Sequence, residues 1–351
     1  MIAVLLGILQ DKQERMATKT ERIIIDCDPG HDDMAAILLA AFHDAVALEA
    51  ITTVCGNASV SNTTNNALRI VEAFDLGVPV YAGATQPLLH RYEFPAAFHG
   101  PTGLDSAGAN LPAATRGPEP KHAVDAIIER VDAAPGEITI VAIGPMTNLG
   151  LVLAKRPDLA TKIKRVVFMG GSTTEGNVTP AAEFNIWADA EAARIVFRSG
   201  VKLVMFGLNV THQTRLGADA LSAVRAAQPG SNPVADTMQF YCNTYHAFAG
   251  SHARGAPLHD PCTIAYLIDP SIFAVEPRPG DVVVAESESY GQTLIDLRPQ
   301  DPARDSRNKN VDVAVGADAE RFNDLVTQAL VWAAERYAAT TSNAITTGVA
   351  S

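Results

Sequence analysis

The sequence has no CxxC pair and only four cysteines, Cys27, Cys55, Cys242 and Cys262, set far apart and mostly inside or beside apolar runs. That leaves out a zinc or redox motif and reads as buried free thiols in a reducing cytoplasm. Basic charge is also scarce: 27 lysines and arginines face 39 acidic residues, for a net charge of −12. Such a surface repels phosphate backbones and anionic membranes, so nucleic-acid polymers and membranes are not expected partners. The apolar opening, residues 1–9, lacks a basic n-region, runs into a charged stretch at residues 11–15, and is too short to span a bilayer. No signal peptide is read there.

Apolar residues make up 47% and charged residues 19% of the 351 residues, the balance of a globular chain with a sizeable core. The length suits one large α/β domain, assigned to residues 21–338. Residues 1–20 are read as an N-terminal extension, disordered or due to a mis-assigned start, with Met16 as the alternative initiator. Residues 339–351, rich in Ala, Thr and Ser, are read as a flexible tail.

Apolar runs alternate with helix-like segments, which predicts a doubly wound, mostly parallel open sheet covered by helices on both faces. Strands are expected at 23–27, 47–55, 78–81, 138–143, 166–169 and 202–206, and helices at 31–42, 61–74, 123–133, 146–155 and 190–197. A Gly- and Pro-rich loop covers 83–120, the stretch 216–266 reads mainly as helix, β-like pieces follow near 281–285 and 311–315, and a helix closes the chain at 320–336. In such sheets ligands bind beyond the carboxyl ends of the strands, so the residues just after each strand carry the functional signal.

After the first strand comes Asp26-Cys27-Asp28-Pro29-Gly30-His31-Asp32-Asp33, a turn into a helix that gathers four carboxylates. An N-cap role explains Asp32 or Asp33 singly but not the group. Two such charges about 4 Å apart repel by roughly 4 kcal/mol at an effective dielectric near 20, so a cation or a proton must compensate. Oxygen ligands on a flexible cluster suit Ca²⁺, with Mg²⁺ as the second choice.

This motif resembles the signature of the inosine-uridine nucleoside hydrolase family. Further matches follow in the family's order: Thr53-Val54-Cys55-Gly56-Asn57, Gly144-Pro145-Met146-Thr147-Asn148, Met169-Gly170-Gly171, Ala182-Glu183-Phe184-Asn185-Ile186 and His259-Asp260-Pro261-Cys262. The resemblance implies calcium-dependent hydrolysis of the N-glycosidic bond of ribonucleosides by a metal-activated water, through an oxocarbenium-like transition state. By that resemblance Asp28, Asp33, Asp260 and the backbone carbonyl of Ile143 hold Ca²⁺, and Asp28 is the general base. Asp32 accepts from the ribose 2′-hydroxyl, Asn185 meets the diol, Asn177 and Glu183 lie near the 5′-hydroxyl, and Asn57 also belongs to the ribose set. Asp26 supports the cluster, His259 is the expected acid toward the leaving base, and His99 packs beside that base. A homodimer or homotetramer is the family's habit.

The region 241–257 does not align securely with the family. Tyr245, His246, Phe248 and His252 are the base-pocket candidates there, while Phe184 and Trp187 read as packing residues. Two other readings stand beside the resemblance. A phosphohydrolase with an aspartyl nucleophile loosely fits Asp26-x-Asp28, but Gly30 stands where such enzymes carry Thr or Val, and no basic residue accompanies the cluster. A catalytically idle ribose- or calcium-binding protein is the other, and turnover separates it from an enzyme.

Overall fold

The computed structural model describes residues 20–91, 96–249, 255–299 and 307–346. The expected extension at 1–19, the end of the expected tail at 347–351 and the base-pocket candidate His252 lie outside the described residues.

Eight strands form the central sheet: β1 (Glu21–Cys27), β2 (Val46–Thr53), β3 (Val80–Ala82), β4 (Ile138–Ala142), β5 (Arg165–Met169), β6 (Leu203–Phe206), β7 (Phe273–Arg278) and β8 (Val311–Ala317). Their order is β3-β2-β1-β4-β5-β6-β8-β7, and every pairing is parallel except β8 with β7. The doubly wound expectation holds. The chain winds outward from β1 to β3, then returns to β4 on the other side of β1 and winds outward again. The β1/β4 junction is therefore the topological switch point, where the crevice of such folds opens.

Alternation along each strand builds two cores. Ile23, Ile25 and Cys27 point to a layer containing α1 (His31–Phe42), α2 (Val60–Ala73) and the closing helix. Ile24 points the other way, to α3 (Ala123–Ala133), α4 (Thr147–Lys155) and, beyond the five-residue helix α5 (Phe184–Ala188), α6 (Ala190–Arg198). Both faces of the strands are apolar because both are covered.

The stretch 216–266 holds α7 (Ala218–Ala227), α8 (Pro233–Ala249) and α9 (Pro261–Ile268), with a two-residue antiparallel ribbon between Arg215–Leu216 and Ala256–Pro257. Two expectations need correction. β7 has no counterpart in the sequence reading, because Glu276, Pro277 and Arg278 break the apolar pattern; at a sheet edge a residue without an N–H is tolerated. The closing helix α10 runs from Ala319 to Thr346, so the tail expected from residue 339 is helical where it is described. Its end is tied to α2: the Arg336 guanidinium donates to the Phe74 and Asp75 carbonyls, and the Thr340 hydroxyl donates to the Ala73 carbonyl at 3.3 Å.

Candidate active site

The site is assembled at the carboxyl ends of β1, β4 and β5. The Ile143 amide donates to the Asp26 carbonyl at 2.8 Å, which pins the end of β4 beside that of β1. Parallel register sets Asp26 opposite Thr52 and Ala142. Asp26 Oδ1 accordingly accepts from the Thr52 hydroxyl at 2.6 Å and the Asn148 amide at 2.8 Å, and burial pushes this carboxyl up to about 6. It braces the strand ends and lies outside the cavity wall.

Asp28 is fully buried. Its Oδ2 accepts from the Asn57 amide at 2.6 Å, while Oδ1 has no partner in the protein. The backbone packs so tightly here that a Cβ on Gly56 would lie 1.9 Å from Asp28 Oδ2, which accounts for the glycine before Asn57. Asp33 accepts from the amides of Gly30 at 2.8 Å and Asp28 at 3.3 Å, so it does cap the first turn of α1. Asp260 stands at the N-cap of α9, before Pro261, yet its side chain makes no capping bond.

Oxygens of Asp32, Asp33 and Asp260 lie within 4.8 Å of one another. Burial, compounded by the neighbouring carboxylates, pushes Asp28 and Asp260 well above the usual range and Asp33 up to about 7; burial alone takes Asp32 to about 6. Among the described residues that line the cavity there is no lysine or arginine. The buried oxygens of Asp32, Asp33 and Asp260 at this spacing, with the unpartnered Oδ1 of Asp28 on the same turn, form a donor set that fits a hard divalent cation.

A cavity of about 360 Å³ opens over this cluster. Nine of the residues expected from the sequence line it: Asp32, Asn57, His99, Ile143, Asn177, Glu183, Asn185, His259 and Asp260. Asp28 and Asp33 lie outside the lining, fully buried. Asn185 donates to the carbonyls of Ile143 at 3.1 Å and Met169 at 3.2 Å, tying the ends of β4 and β5. Glu183 caps α5 through the amides of Asn185 at 2.9 Å and Ile186 at 3.1 Å, and also accepts from Gly171 at 2.8 Å; burial raises it to about 7. Asn177 sits exposed at the rim, its Oδ1 accepting from the Phe184 amide at 2.9 Å.

The rest of the lining is largely aromatic. Tyr241, Tyr245 and Phe248 project from one face of α8 at the i, i+4, i+7 spacing, joined by Phe98, Phe184 and His212. Of the base-pocket candidates, Tyr245 and Phe248 line the cavity, whereas His246 does not. Phe184, read as packing, is also part of the wall, while Trp187 is not. Tyr241, Phe98 and His212 were missed. The helical spacing could have found Tyr241, and the position after β6 could have found His212; Phe98 carries no such signal.

His259 is held at both ring nitrogens, Nδ1 against the Thr211 hydroxyl at 2.7 Å and Nε2 against the Tyr245 hydroxyl at 2.7 Å. Burial, with His212 and Arg215 nearby, lowers it to about 3.

A lining that combines polar, acidic side chains with aromatic ones matches a ligand with a hydroxylated half and a flat ring. The profile of the inosine-uridine preferring nucleoside hydrolase family matches residues 23–324. The chain is 40% identical over 310 residues to the pyrimidine-specific ribonucleoside hydrolase RihA of Shewanella sp. (strain ANA-3), covering 88% of this chain and 95% of that one. It is 42% identical over 276 residues to RihB of Escherichia coli (strain K12), also named a pyrimidine-specific ribonucleoside hydrolase, covering 78% and 87%. Among solved structures, the purine-preferring ribonucleoside hydrolase from Gardnerella vaginalis superposes with a TM-score of 0.82 at 32% identity, covering 90% of this chain and 99% of that one. Since the match spans the sheet, the acidic cluster and the aromatic wall alike, the chain belongs to the inosine-uridine preferring nucleoside hydrolase family and is a ribonucleoside hydrolase.

Proposed function

We propose that the enzyme cleaves the N-glycosidic bond of ribonucleosides with Ca²⁺ held by Asp28, Asp33, Asp260 and the Ile143 carbonyl. The observation that carries this reading is the buried carboxylate group with an unpartnered Asp28 oxygen and no lysine or arginine in the cavity lining among the described residues. When bound, the ion makes a coordinated water more acidic and offers positions to the two ribose hydroxyls.

Asp28 takes the proton of the attacking water at Oδ1, since Oδ2 is already committed to the Asn57 amide. Asp32 accepts from the 2′-hydroxyl, Asn185 and Asp260 meet the diol, Asn57 completes the ribose set, and Asn177 and Glu183 stand toward the 5′-hydroxyl. The acidic floor stabilises the positive charge that develops on the sugar ring as the bond to the base breaks. Because both His259 nitrogens are engaged, the acid is its imidazolium form, which passes one proton to the Tyr245 hydroxyl as that hydroxyl gives its own to the leaving base, leaving a neutral ring. With His259 lowered to about 3, this form is the minority one at neutral pH. His99 flanks the same base.

His259→Ala is then expected to slow uridine cleavage far more than cleavage of p-nitrophenyl riboside, whose phenolate leaves without a proton. Equal losses in kcat on the two substrates would make His259 positional.

The pyrimidine-specific names of the relatives near 40% identity support a preference for uridine and cytidine over inosine. A nucleoside panel read by release of reducing sugar tests both points. Ribose from the pyrimidine nucleosides is expected, and no release from any ribonucleoside would overturn the reading. The four cysteines are buried free thiols, in keeping with a reducing cytoplasm. A homodimer or homotetramer, as the family resemblance implies, completes the proposal.

A further inference from the structure

His31 and His99 face each other with their Nδ1 atoms 3.0 Å apart and their rings stacked, centroids 5.3 Å apart at 24°. His31 Nε2 lies 2.9 Å from the Asp105 carbonyl oxygen, which can only accept. The proton between them must therefore sit on His31 Nε2. His31 is fully buried and stacks on Phe240 and Tyr241. The Asp105 carboxylate is turned toward the Thr102 amide and hydroxyl, so among the described residues no carboxylate is bonded to His31, and the through-space pull of Asp105 is outweighed by a burial that disfavours a second proton. A neutral His31 with its proton on Nε2 has a bare Nδ1, and a hydrogen bond at 3.0 Å then requires the proton on His99 Nδ1. The same logic leaves His99 Nε2 bare, and His99 lines the cavity.

We infer that His31 is a positioning residue that locks His99 in the Nδ1–H tautomer, so that a bound ribonucleoside meets the His99 Nε2 lone pair as a hydrogen-bond acceptor for one of its O–H or N–H groups. In its resting state His99 is thus an acceptor toward substrate, and protonation of the leaving base falls to the His259–Tyr245 side. The substrate half of this inference rests on the ribonucleoside reading; the tautomer half does not.

Two substitutions separate hydrogen bonding from packing. His31→Phe keeps an aromatic ring for the stack but removes the acceptor. His31→Asn removes the ring but places a carbonyl oxygen, which can only accept, where Nδ1 stood. Magic-angle-spinning ¹⁵N spectra of histidine-labelled, ligand-free enzyme read the tautomer directly, with His99 assigned by its loss in His99→Gln. The wild type is expected to give a protonated Nδ1 and a bare Nε2 at His99. In His31→Phe the His99 proton is expected to move to Nε2, with kcat/KM for uridine falling about tenfold, the effect of one lost substrate hydrogen bond. In His31→Asn both the wild-type tautomer and most of kcat/KM are expected to return. A wild-type His99 protonated on Nε2 overturns the inference even if no variant folds. So does a His31→Phe enzyme with an unchanged His99 signal and unchanged kcat/KM. The expected spectrum in an enzyme that cleaves no ribonucleoside would overturn the hydrolase reading and leave the tautomer standing.

Discussion

Replacing Asp28 by asparagine is expected to lower kcat by about a thousandfold, within the range a positioned general base contributes. Asparagine fits the space. Its carbonyl can still accept from the Asn57 amide, as Asp28 Oδ2 does at 2.6 Å, which turns the NH₂ group to the place of Oδ1, the oxygen that has no partner. A donor then stands where a proton must be accepted, and it faces the cation site with N–H instead of an oxygen lone pair. Stability should move the other way. Burial and the Asp33 charge both disfavour an ionised Asp28, so its folded-state value is raised and ionisation at neutral pH opposes folding. Removing that charge relieves the metal-free protein. The metal-free variant should melt no lower than the wild type near pH 7, which shows that lost activity is not lost fold. Steady-state kinetics at saturating Ca²⁺ provide the check, and near-normal kcat would move the base to another residue.

Ribonucleosides should be cleaved roughly 10⁴-fold faster, in kcat/KM, than their 2′-deoxy counterparts. The 2′-hydroxyl is expected to serve both the cation and Asp32, so both contacts vanish together. Asp32 is almost fully buried and its carboxylate shares the floor with Asp33 and Asp260. Without the hydroxyl Asp32 stays desolvated and lacks the donor that the substrate would supply, which is why sites built around a substrate hydroxyl reject its absence so strongly. The 3′-deoxy forms should lose comparably through the second hydroxyl and Asn185 or Asp260. The 5′-deoxy forms should lose less, because Asn177 sits exposed at the rim and Glu183 is already held by three backbone amides. Turnover of 2′-deoxyuridine within a few-fold of uridine would remove the diol from the acidic floor.

The parts legible in the sequence share one cause: they are local. The alternation of apolar runs and helices points to the parallel sheet, and the strand-end rule points to the aspartate cluster after β1; Asn57 and Ile143 also lie within a few residues of their strands, but the resemblance alone names them. Asp260 is different. Its position before Pro261 reads as a cap, and only the resemblance marked it; the structure removes the capping explanation because the side chain makes no such bond. The aromatic wall was the least legible part. Tyr241, Tyr245 and Phe248 share a face only once α8 is known to be a continuous helix, and Phe98 reaches them from a short helical turn inside a loop read as irregular. The partnership of His31 with His99 joins residues 68 positions apart, so no local pattern announces it. β7 escaped because an edge strand tolerates the proline and charges that argue against a strand elsewhere.

The most direct measurement is release of ribose from uridine by enzyme stripped with EGTA and then titrated with Ca²⁺. With oxygens of Asp32, Asp33 and Asp260 within 4.8 Å and no lysine or arginine among the described residues of the cavity lining, no permanently charged side chain of that lining stands in for the cation. Activity is predicted to fall below detection in the stripped enzyme and to return fully as Ca²⁺ is added; full turnover by metal-free enzyme would contradict it.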